Sequence, residues 1–205
     1  MARSPSFAGV LLAAGPSSRM GRDKALLPWR GATFLSGQIE LLKPLTELVI
    51  VVAGKNADAL APLVYAHGSF LVINPKPERG QFSSLQIGIR EVLNHGRDAA
   101  IIALVDRPPA APATAQRLRS KFSEACAAGK WAVVPEYSGK HGHPVLVGRE
   151  LIEEFLKAPS DSVAREIEHA HQQKIEYLPV DDPLVVMNVD TPEDYERLTG
   201  KMIPS

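Results

Sequence analysis

Apolar runs alternate along the chain with segments in which apolar residues recur at helical spacing. Two runs, Leu48–Ala53 and Ile101–Val105, contain only Val, Ile, Leu and Ala. A strand that is apolar on both faces belongs inside a covered, mostly parallel sheet. The predicted strands are Phe7–Ala13, Glu47–Ala53, Ser69–Asn74, Ala99–Val105, Trp131–Pro135, Lys174–Val180 and Leu184–Asn188.

Helical segments separate these strands, and several carry capping residues at their ends. Thr191 is followed by Pro192 and then by two acidic residues, an order that favours a helix start. The predicted helices are Thr33–Leu42, Ser83–Asn94, Pro112–Ala128, Glu150–Lys157, Asp161–Gln172 and Thr191–Leu198. The irregular stretch Glu136–Gly148 is predicted to be an insertion or a β-extension beside the functional site.

The alternation of strands and helices predicts the fold class. It favours an α/β fold with a doubly wound, mostly parallel sheet between two helical layers, joined by right-handed crossovers. No internal repeat or long linker interrupts the sequence, so residues 1–205 are predicted to form one domain. Ligands of open α/β sheets bind beyond the carboxyl ends of the strands. The residues that directly follow the strands are therefore the functional candidates.

Composition narrows the class of protein further. Lys and Arg number 23 and Asp and Glu number 23, so the formal net charge is zero. This balance argues against a protein that coats nucleic acid or an anionic membrane, since both need excess positive charge. The single cysteine, Cys126, excludes an internal disulfide and a cysteine-based zinc site within one chain, which fits a reducing, cytoplasmic setting. No apolar run approaches the roughly 18 residues that span a bilayer.

The start of the chain has the outline of a secretory leader, because an arginine precedes the apolar run Phe7–Ala14. A first β-strand explains this run better. It is short, and it leads directly into a glycine, two serines and three basic residues.

The segment Leu12–Pro28, which follows the first predicted strand, has the composition of a polyphosphate-binding loop. Gly15 and Gly21 give it backbone freedom. It carries three cations, Arg19, Arg22 and Lys24. Exposed N–H groups in such a loop can form an anion-binding nest. The loop is neither a Walker A motif nor a G-x-G-x-x-G motif, and the alternative is a flexible basic surface loop.

Two aspartates occupy strand ends. Asp106 follows the run Ile101–Val105, and Asp190 follows the predicted strand Leu184–Asn188 and precedes a helix. Carboxylates that reach one cleft could hold a hard divalent cation, and Mg²⁺ suits a site with few carboxylates and substrate phosphates. Each aspartate alone could instead cap a helix or form a turn.

The string Leu12–Pro28 resembles the signature L-A-A-G-x-S-x-R-M-G-x-x-K-x-L-L-P of the MobA-like nucleotidyltransferases. Within that family it is most similar to the molybdenum cofactor cytidylyltransferase branch. The resemblance implies a Rossmann-like, three-layer fold of the nucleotide-diphospho-sugar transferase type. It also implies that Arg19 and Lys24 serve catalysis by neutralising a triphosphate and its leaving pyrophosphate. Nucleotide contacts are implied for Leu12, Ala13, Ala14 and Gly15.

The same resemblance assigns the aspartates to a metal. Family motifs similar to G-D-x-P and D-I-D-T-P-E-D imply that Asp106 and Asp190 bind Mg²⁺. This chain departs from those motifs, because Val105 replaces the glycine and Asn188 replaces the earlier aspartate. Arg107 adds a cation beside the expected metal, with a role that the sequence leaves open.

A turn before the third predicted helix offers further nucleotide contacts. Gly80, Ser83 and Ser84 precede or open this helix, where they would contact a ribose or base, or where a serine would simply cap the helix. The family has a similar N-x-x-x-x-x-G-x-x-x-S-L segment facing the nucleotide, which implies that these three residues are contacts.

His141 and His143 are expected on one face of a strand, near Glu136. These residues would suit a transition metal, although no third ligand at clear spacing accompanies them. The family has a similar G-x-P-V-L stretch near its acceptor substrate, which implies that Gly142 and His143 lie on the acceptor side. The role of the histidine pair stays open.

The resemblance implies an enzyme that moves CMP from CTP onto a phosphate acceptor, molybdopterin, and releases pyrophosphate with Mg²⁺ as cofactor. The string Ala13-Ala14-Gly15 resembles the cytidylyl branch more than the guanylyl branch, which tends to have Ala-Gly-Gly. No tightly bound organic cofactor is expected. A molybdoenzyme or its chaperone would be a partner, whereas nucleic acid and membrane would not. The alternatives are a nucleotide-binding delivery module without turnover, a transferase acting on a sugar phosphate, and a purely structural protein.

Overall fold

A mixed sheet forms the centre of the computed structural model, which describes residues 5–202. The strands are β1 (Phe7–Leu12), β2 (Pro28–Trp29), β3 (Ala32–Thr33), β4 (Leu48–Ala53), β5 (Phe70–Ile73), β6 (Ala99–Leu104), β7 (Ala132–Tyr137), β8 (Lys140–His141), β9 (Val145–Gly148) and β10 (Ile175–Pro179). The helices are α1 (Phe34–Leu42), α2 (Ala57–Ala66), α3 (Gln81–Asn94), α4 (Pro112–Ala127), α5 (Arg149–Lys157), α6 (Ala164–Ala170) and α7 (Pro192–Thr199).

The main sheet has the strand order β10-β7-β9-β6-β1-β4-β5, and β8 pairs with β7 outside this path. The central strand β1 is parallel to both of its neighbours, β4 and β6, and β5 is parallel to β4. Strand β9 runs antiparallel to β6 and β7. The prediction of an α/β fold with a mostly parallel sheet is confirmed.

Each face of the sheet carries its own hydrophobic core. Along β1, Phe7 and Leu11 point into the core shared with α1, α2 and α4, while Val10 points into the core shared with α3 and α5. This alternation follows from the period of two in a strand. On α3, a Cβ at Gly88 would lie 2.5 Å from Cγ1 of Val10, so the absence of a side chain lets α3 approach β1 closely. The amino end of α3 is thereby held beside the end of the central strand.

The predicted strand Leu184–Asn188 is wrong. The chain forms a 3₁₀ turn at Pro183–Val186 and then runs on without joining the sheet. The cause is local, because Oδ1 of Asp182 accepts a hydrogen bond from the Leu184 N–H at 3.1 Å and Pro183 begins the turn.

Other predicted bounds differ from the structure. Helix α3 begins at Gln81 rather than Ser83, and α6 is shorter than the predicted Asp161–Gln172. Helix α2, which contains Pro62, was not predicted. The irregular stretch Glu136–Gly148 does extend β7 through the β8 hairpin, but its last residues form β9 inside the main sheet.

The apolar run near the start of the chain, which has the outline of a secretory leader, is a strand in the structure. The run from Phe7 to Leu12 is the central strand β1, whereas Met1–Ser4 lie outside the described residues.

Over residues 5–202, no helix has both the length and the apolar character needed to cross a membrane.

Candidate active site

A cleft of about 290 Å³ lies beyond the carboxyl ends of β1 and β6. Four separate parts of the chain meet there: the loop after β1, the turn before α3, and the two segments that carry the aspartates. Its lining consists of Leu12, Ala14, Gly15, Pro16, Ser17, Ser18, Arg19, Lys24, Pro77, Gly80, Gln81, Ser84, Val105, Asp106 and Asp190. Most of the sequence-predicted site residues are therefore brought together in one place.

Asp190 is held by two cations of the first loop. The Lys24 Nζ lies 2.6 Å from Asp190 Oδ1, and the Arg19 Nη2 lies 3.2 Å from the same oxygen. Lys24 is only 8% exposed, whereas Arg19 is largely exposed. The backbone N–H of Asp190 donates to Oδ2 of Asp194 at 3.1 Å, and the same carboxylate forms the capping box with Thr191 that opens α7. The helix start thus fixes the backbone that carries Asp190.

Asp106 has a different environment. It directly follows β6 and the adjoining Val105, and its backbone carbonyl accepts a hydrogen bond from the Val189 N–H at 2.8 Å. Burial raises the pKa of its carboxyl, Lys24 and Arg107 oppose this rise, and Asp190 adds to it. Among residues 5–202, the Asp106 Oδ1 is buried without a hydrogen-bond partner.

An unpartnered buried carboxylate oxygen is costly in the free protein, and a bound hard cation would satisfy it. The residues present therefore fit Mg²⁺, which Asp106 and Asp190 would hold together. In the described part of the chain, no group of three or more His, Cys, Asp or Glu side chains could hold a metal. Water and substrate phosphates would supply the remaining ligands of a two-carboxylate site.

The side chain of Asn56 organises the first loop. Its Nδ2 donates to the Ala13 carbonyl at 2.9 Å and to Oδ2 of Asp23 at 2.6 Å. Its Oδ1 accepts from the Gly54 N–H at 3.0 Å. Sequence reasoning missed Asn56, although it follows a buried strand just as Asp106 does. The rule that candidates follow strands would have found it.

The first loop also forms the wall of a second cavity, of about 610 Å³. The residues that line both cavities are Ala14, Gly15, Pro16, Ser17 and Ser18 of this loop and Pro77 of the turn before α3. Arg22 and Lys55 line the second cavity only. The three predicted loop cations are therefore divided, with Arg19 and Lys24 on one side of the wall and Arg22 on the other.

Gly80 and the two serines take different positions. Gly80 precedes α3 with a φ of 96°, lines the cleft, and is the residue at the N-cap, so neither serine caps this helix. The Asn74 Nδ2 donates to the Oγ of Ser83 and to the Oγ of Ser84, each at 2.9 Å. Ser84 still lines the cleft. Ser83 does not, and its hydroxyl donates to the Gly80 carbonyl at 2.7 Å.

Gly142 and His143 lie outside the lining of the cleft. The His143 N–H donates to the Val185 carbonyl at 2.8 Å, and a Cβ at Gly142 would overlap the same carbonyl. His143 is half-buried with its Nδ1 inaccessible, and burial together with the nearby charge of Arg107 lowers its pKa to about 3. This imidazole is therefore neutral near pH 7.

The two histidines do not share a face, which corrects that expectation. β8 ends at His141, so His143 lies beyond the strand. His141 is exposed and stacks on Tyr177, with ring centroids 4.0 Å apart. Its Nε2 lies 3.5 Å from Oε2 of Glu136.

Comparison with known proteins identifies the family. The MobA-like NTP transferase domain matches residues 9–175, a stretch that includes the first loop and Asp106 and ends before Asp190. Nicotine blue oxidoreductase from Paenarthrobacter nicotinovorans is 29% identical over 95% of this chain and 97% of its own length. The molybdenum cofactor cytidylyltransferase of Escherichia coli (strain K12) is 25% identical, covering 91% of this chain and 92% of its own. The molybdenum cofactor guanylyltransferase of Xanthomonas euvesicatoria pv. vesicatoria (strain 85-10) is 28% identical, covering 94% of each chain.

Solved structures agree with this result. Rv0371c from Mycobacterium tuberculosis H37Rv has 29% sequence identity and a TM-score of 0.81, covering 97% of this chain and 100% of that one. The same protein in complex with manganese has 26% identity and a TM-score of 0.76, over 96% of this chain and 100% of that one. The resemblance and the Rossmann-like fold type expected from the first loop are confirmed. The chain belongs to the MobA-like NTP transferase family of nucleotidyltransferases.

Proposed function

We propose that this protein is a Mg²⁺-dependent cytidylyltransferase that moves CMP from CTP onto the phosphate of a pterin acceptor, molybdopterin, and releases pyrophosphate. The observation that carries the proposal is the convergence of Arg19 and Lys24 with Asp106 and Asp190 in one cleft. A nucleotide-binding module would need the cations alone. The unpartnered oxygen of Asp106 adds a requirement for a cation, which transfer of a charged phosphoryl group also has.

The proposed reaction is a displacement at phosphorus. An oxygen of the acceptor phosphate attacks the α-phosphorus of CTP, the bond from that phosphorus to the α,β-bridging oxygen breaks, and pyrophosphate leaves with the electron pair. Arg19 and Lys24 neutralise the triphosphate and then the departing pyrophosphate. The attacking phosphate is already an anion, so no residue has to remove a proton from it. When bound to Asp106 and Asp190, Mg²⁺ would polarise phosphate oxygens and stabilise their growing charge.

The choice of CTP rests on the first loop. Ala14 lines both cavities, and its methyl group would narrow the space available to a base bound beside it. Ala13 is buried, with its carbonyl bound to Asn56, so it contributes main-chain shape rather than a side-chain contact. The similar proteins include both a cytidylyltransferase and a guanylyltransferase. Replacing Ala14 with glycine should therefore raise the use of GTP relative to CTP.

Two further proposals concern the partners. The similarity to molybdenum cofactor transferases supports molybdopterin as acceptor, and a molybdoenzyme or its chaperone would receive the product. The similarity to nicotine blue oxidoreductase favours one competing activity, a redox reaction. The proposed transfer depends on a cation held by Asp106, so the two activities should differ in their dependence on Asp106.

The deciding experiment measures pyrophosphate release from CTP, GTP, ATP and UTP, each with Mg²⁺ and molybdopterin. CTP should give the fastest release, and Asp106→Asn or Asp190→Asn should slow it by about 100-fold or more. Asp58→Asn, which removes an exposed acid on α2, is the matched control and should keep full activity.

Each failure has its own meaning. No release with any nucleotide, while CTP still binds, would overturn turnover in favour of a delivery module. Faster release with GTP would overturn the choice of base. Release with a sugar phosphate in place of molybdopterin would overturn the acceptor, and a redox activity that survives Asp106→Asn would favour the oxidoreductase.

A further inference from the structure

Arg107 lies next to Asp106 but directs its hydrogen bond elsewhere. Its Nη1 donates to the backbone carbonyl of Val185 at 3.1 Å. The side chain is half-buried, and within residues 5–202 its Nε is buried without a partner. Burial lowers the pKa of the Arg107 guanidinium, and the nearby charges of Asp106 and Asp190 raise it. Burying part of a cation costs free energy, and one hydrogen bond to a backbone carbonyl compensates for little of that cost.

The Val185 carbonyl is a meeting point of three chain segments. It accepts hydrogen bonds from Arg107, at the end of β6, and from the backbone N–H of His143 at 2.8 Å. The backbone of Gly142 packs so closely on the same carbonyl that a Cβ there would overlap it. The 3₁₀ turn Pro183–Val186 is outside the sheet, so these contacts replace the strand pairing that would otherwise fix it.

This turn leads directly to Asp190. The Val189 N–H donates to the Asp106 carbonyl at 2.8 Å, and the Asp190 N–H donates to Asp194. The Val185 carbonyl is the anchor on the upstream side of this stretch, and Arg107 supplies the side chain that reaches it. Arg107, the residue after Asp106, thus connects by a hydrogen bond to the segment that carries Asp190.

We propose that Arg107 is a positioning residue, which sets Asp190 in register with Asp106 by holding the Val185 carbonyl. The proposal rests on the proposed metal-dependent transfer, and it adds a residue that does not line the cleft. Gln38 holds the backbone on both sides of Asp106. Its Nε2 donates to the Arg107 carbonyl at 3.0 Å and to the Leu104 carbonyl at 3.3 Å.

A purely electrostatic role would give the opposite result for metal binding. Removing a positive charge beside two carboxylates should strengthen their attraction for a cation. Removing a side chain that aligns them should weaken cation binding, because a ligand held in the wrong place binds poorly. The sign of the change in Mn²⁺ affinity therefore distinguishes the two roles.

The test uses Arg107→Gln and Arg107→Lys in the full-length protein, with Mn²⁺ as the probe. Arg107→Gln should weaken Mn²⁺ binding, measured without nucleotide, by about tenfold or more. It should lower kcat by about 10- to 100-fold while changing the KM for CTP little, because the first loop is not anchored by Arg107. Arg107→Lys keeps the charge and one donor, so its values should fall between those of the wild type and the Gln variant.

Hydrogen exchange supplies a readout that needs neither metal nor nucleotide. Amides in residues 183–190 should exchange faster in both variants, whereas those in residues 14–24 should not change. Arg119→Gln is the matched control. It removes a partly buried arginine whose Cζ lies 3.9 Å from the ring of Phe7, at the other end of β1, and it should alter none of these values.

Unchanged exchange in residues 183–190 overturns the proposal, and so does Mn²⁺ binding that is unchanged or tighter in Arg107→Gln. If Arg107→Gln does not fold, the same two measurements on Arg107→Lys decide in the same way. A wild-type protein that binds no Mn²⁺ would overturn the metal pair of the proposed function, and hydrogen exchange would still decide whether Arg107 holds the turn.

Discussion

The Nζ of Lys24 lies 2.6 Å from Oδ1 of Asp190, although the two residues are 166 positions apart in the chain. Arg19 reaches the same oxygen. In the free protein, therefore, Asp190 is neutralised and Asp106 is not. A metal ion must compete with these cations for Asp190, and a triphosphate must compete with Asp190 for the cations. Nucleotide and metal should consequently assist each other's binding.

Lys24→Met should raise the affinity for Mn²⁺ about five- to tenfold in the absence of nucleotide, because Asp190 then has only Arg19 as a competitor. The same variant should bind CTP more weakly. The factor by which each ligand raises the affinity for the other should also fall. Titration calorimetry with each ligand alone and then together measures all three values. Arg30→Met, which removes an exposed arginine stacked on Trp29, should match the wild type. Equal Mn²⁺ affinity in Lys24→Met and the wild type would contradict the competition.

Asp106→Asn should make the free protein more stable at neutral pH while removing activity. Burial raises the pKa of Asp106 in the folded state. Its contribution to stability is therefore fully present below the ordinary carboxyl pKa and is lost as the pH rises through the folded value. Asparagine does not ionise, so the variant should have the higher Tm at pH 7, and its advantage should shrink as the pH falls toward 4. Thermal unfolding without metal measures the difference, and a variant less stable than the wild type at pH 7 would show that Asp106 supports the fold.

His143→Gln should make stability less sensitive to acid. The folded pKa of His143 is about 3, below its ordinary 6.5. The unfolded chain therefore takes up a proton first, and stability is lost as the pH falls from 6.5 toward 3, at up to about 1.4 kcal/mol per pH unit. Glutamine does not titrate, so the free energy of unfolding should fall less between pH 7 and 5. His141→Gln removes an exposed histidine and should keep the wild-type slope, and a wild-type slope in His143→Gln itself would refute the assignment.

Asn56→Ala should damage nucleotide binding more than the chemical step. It removes the bonds to the Ala13 carbonyl, to Asp23 and from the Gly54 N–H. We expect a loss of about 1–3 kcal/mol in the free energy of unfolding and a clear rise in the KM for CTP, with kcat changed little. Asn94→Ala is the matched control, because Asn94 is exposed and its Nδ2 donates to Glu91 on the same helix. A fall in kcat at unchanged KM would mean that Asn56 acts in the reaction rather than in shaping the loop.

The sequence was sufficient to predict that Asp106 and the first loop converge, whereas Ser83, Gly142 and His143 lie outside the cleft lining. Asp106 and the first loop each follow a continuous apolar run, and parallel strands in one sheet bring their carboxyl ends to the same edge. Asp190 was expected at the same edge for a wrong reason, because the segment before it is not a strand. Its position depends instead on the contact with Lys24 and on the capping box of α7.

Sequence patterns do not predict features that depend on tertiary contacts. The run Leu184–Val189 is as apolar as a strand, but the contacts of the Val185 carbonyl with Arg107 and His143 hold it outside the sheet. The insertion of β9 between β6 and β7 is a pairing across distant parts of the chain that periodicity does not reveal. Helix α2 is not expected from its sequence, because it contains Pro62 and proline disfavours the interior of a helix.

The separation of Lys24 and Asp190 also has a consequence for biosynthesis. A ribosome that adds roughly 5–20 residues per second needs about ten to thirty seconds to pass from one to the other. During that interval the emerging polypeptide already carries its basic loop but lacks the acid that neutralises it. Any polyanion near the exit tunnel would meet these charges unopposed until Asp190 has been added and has paired with them.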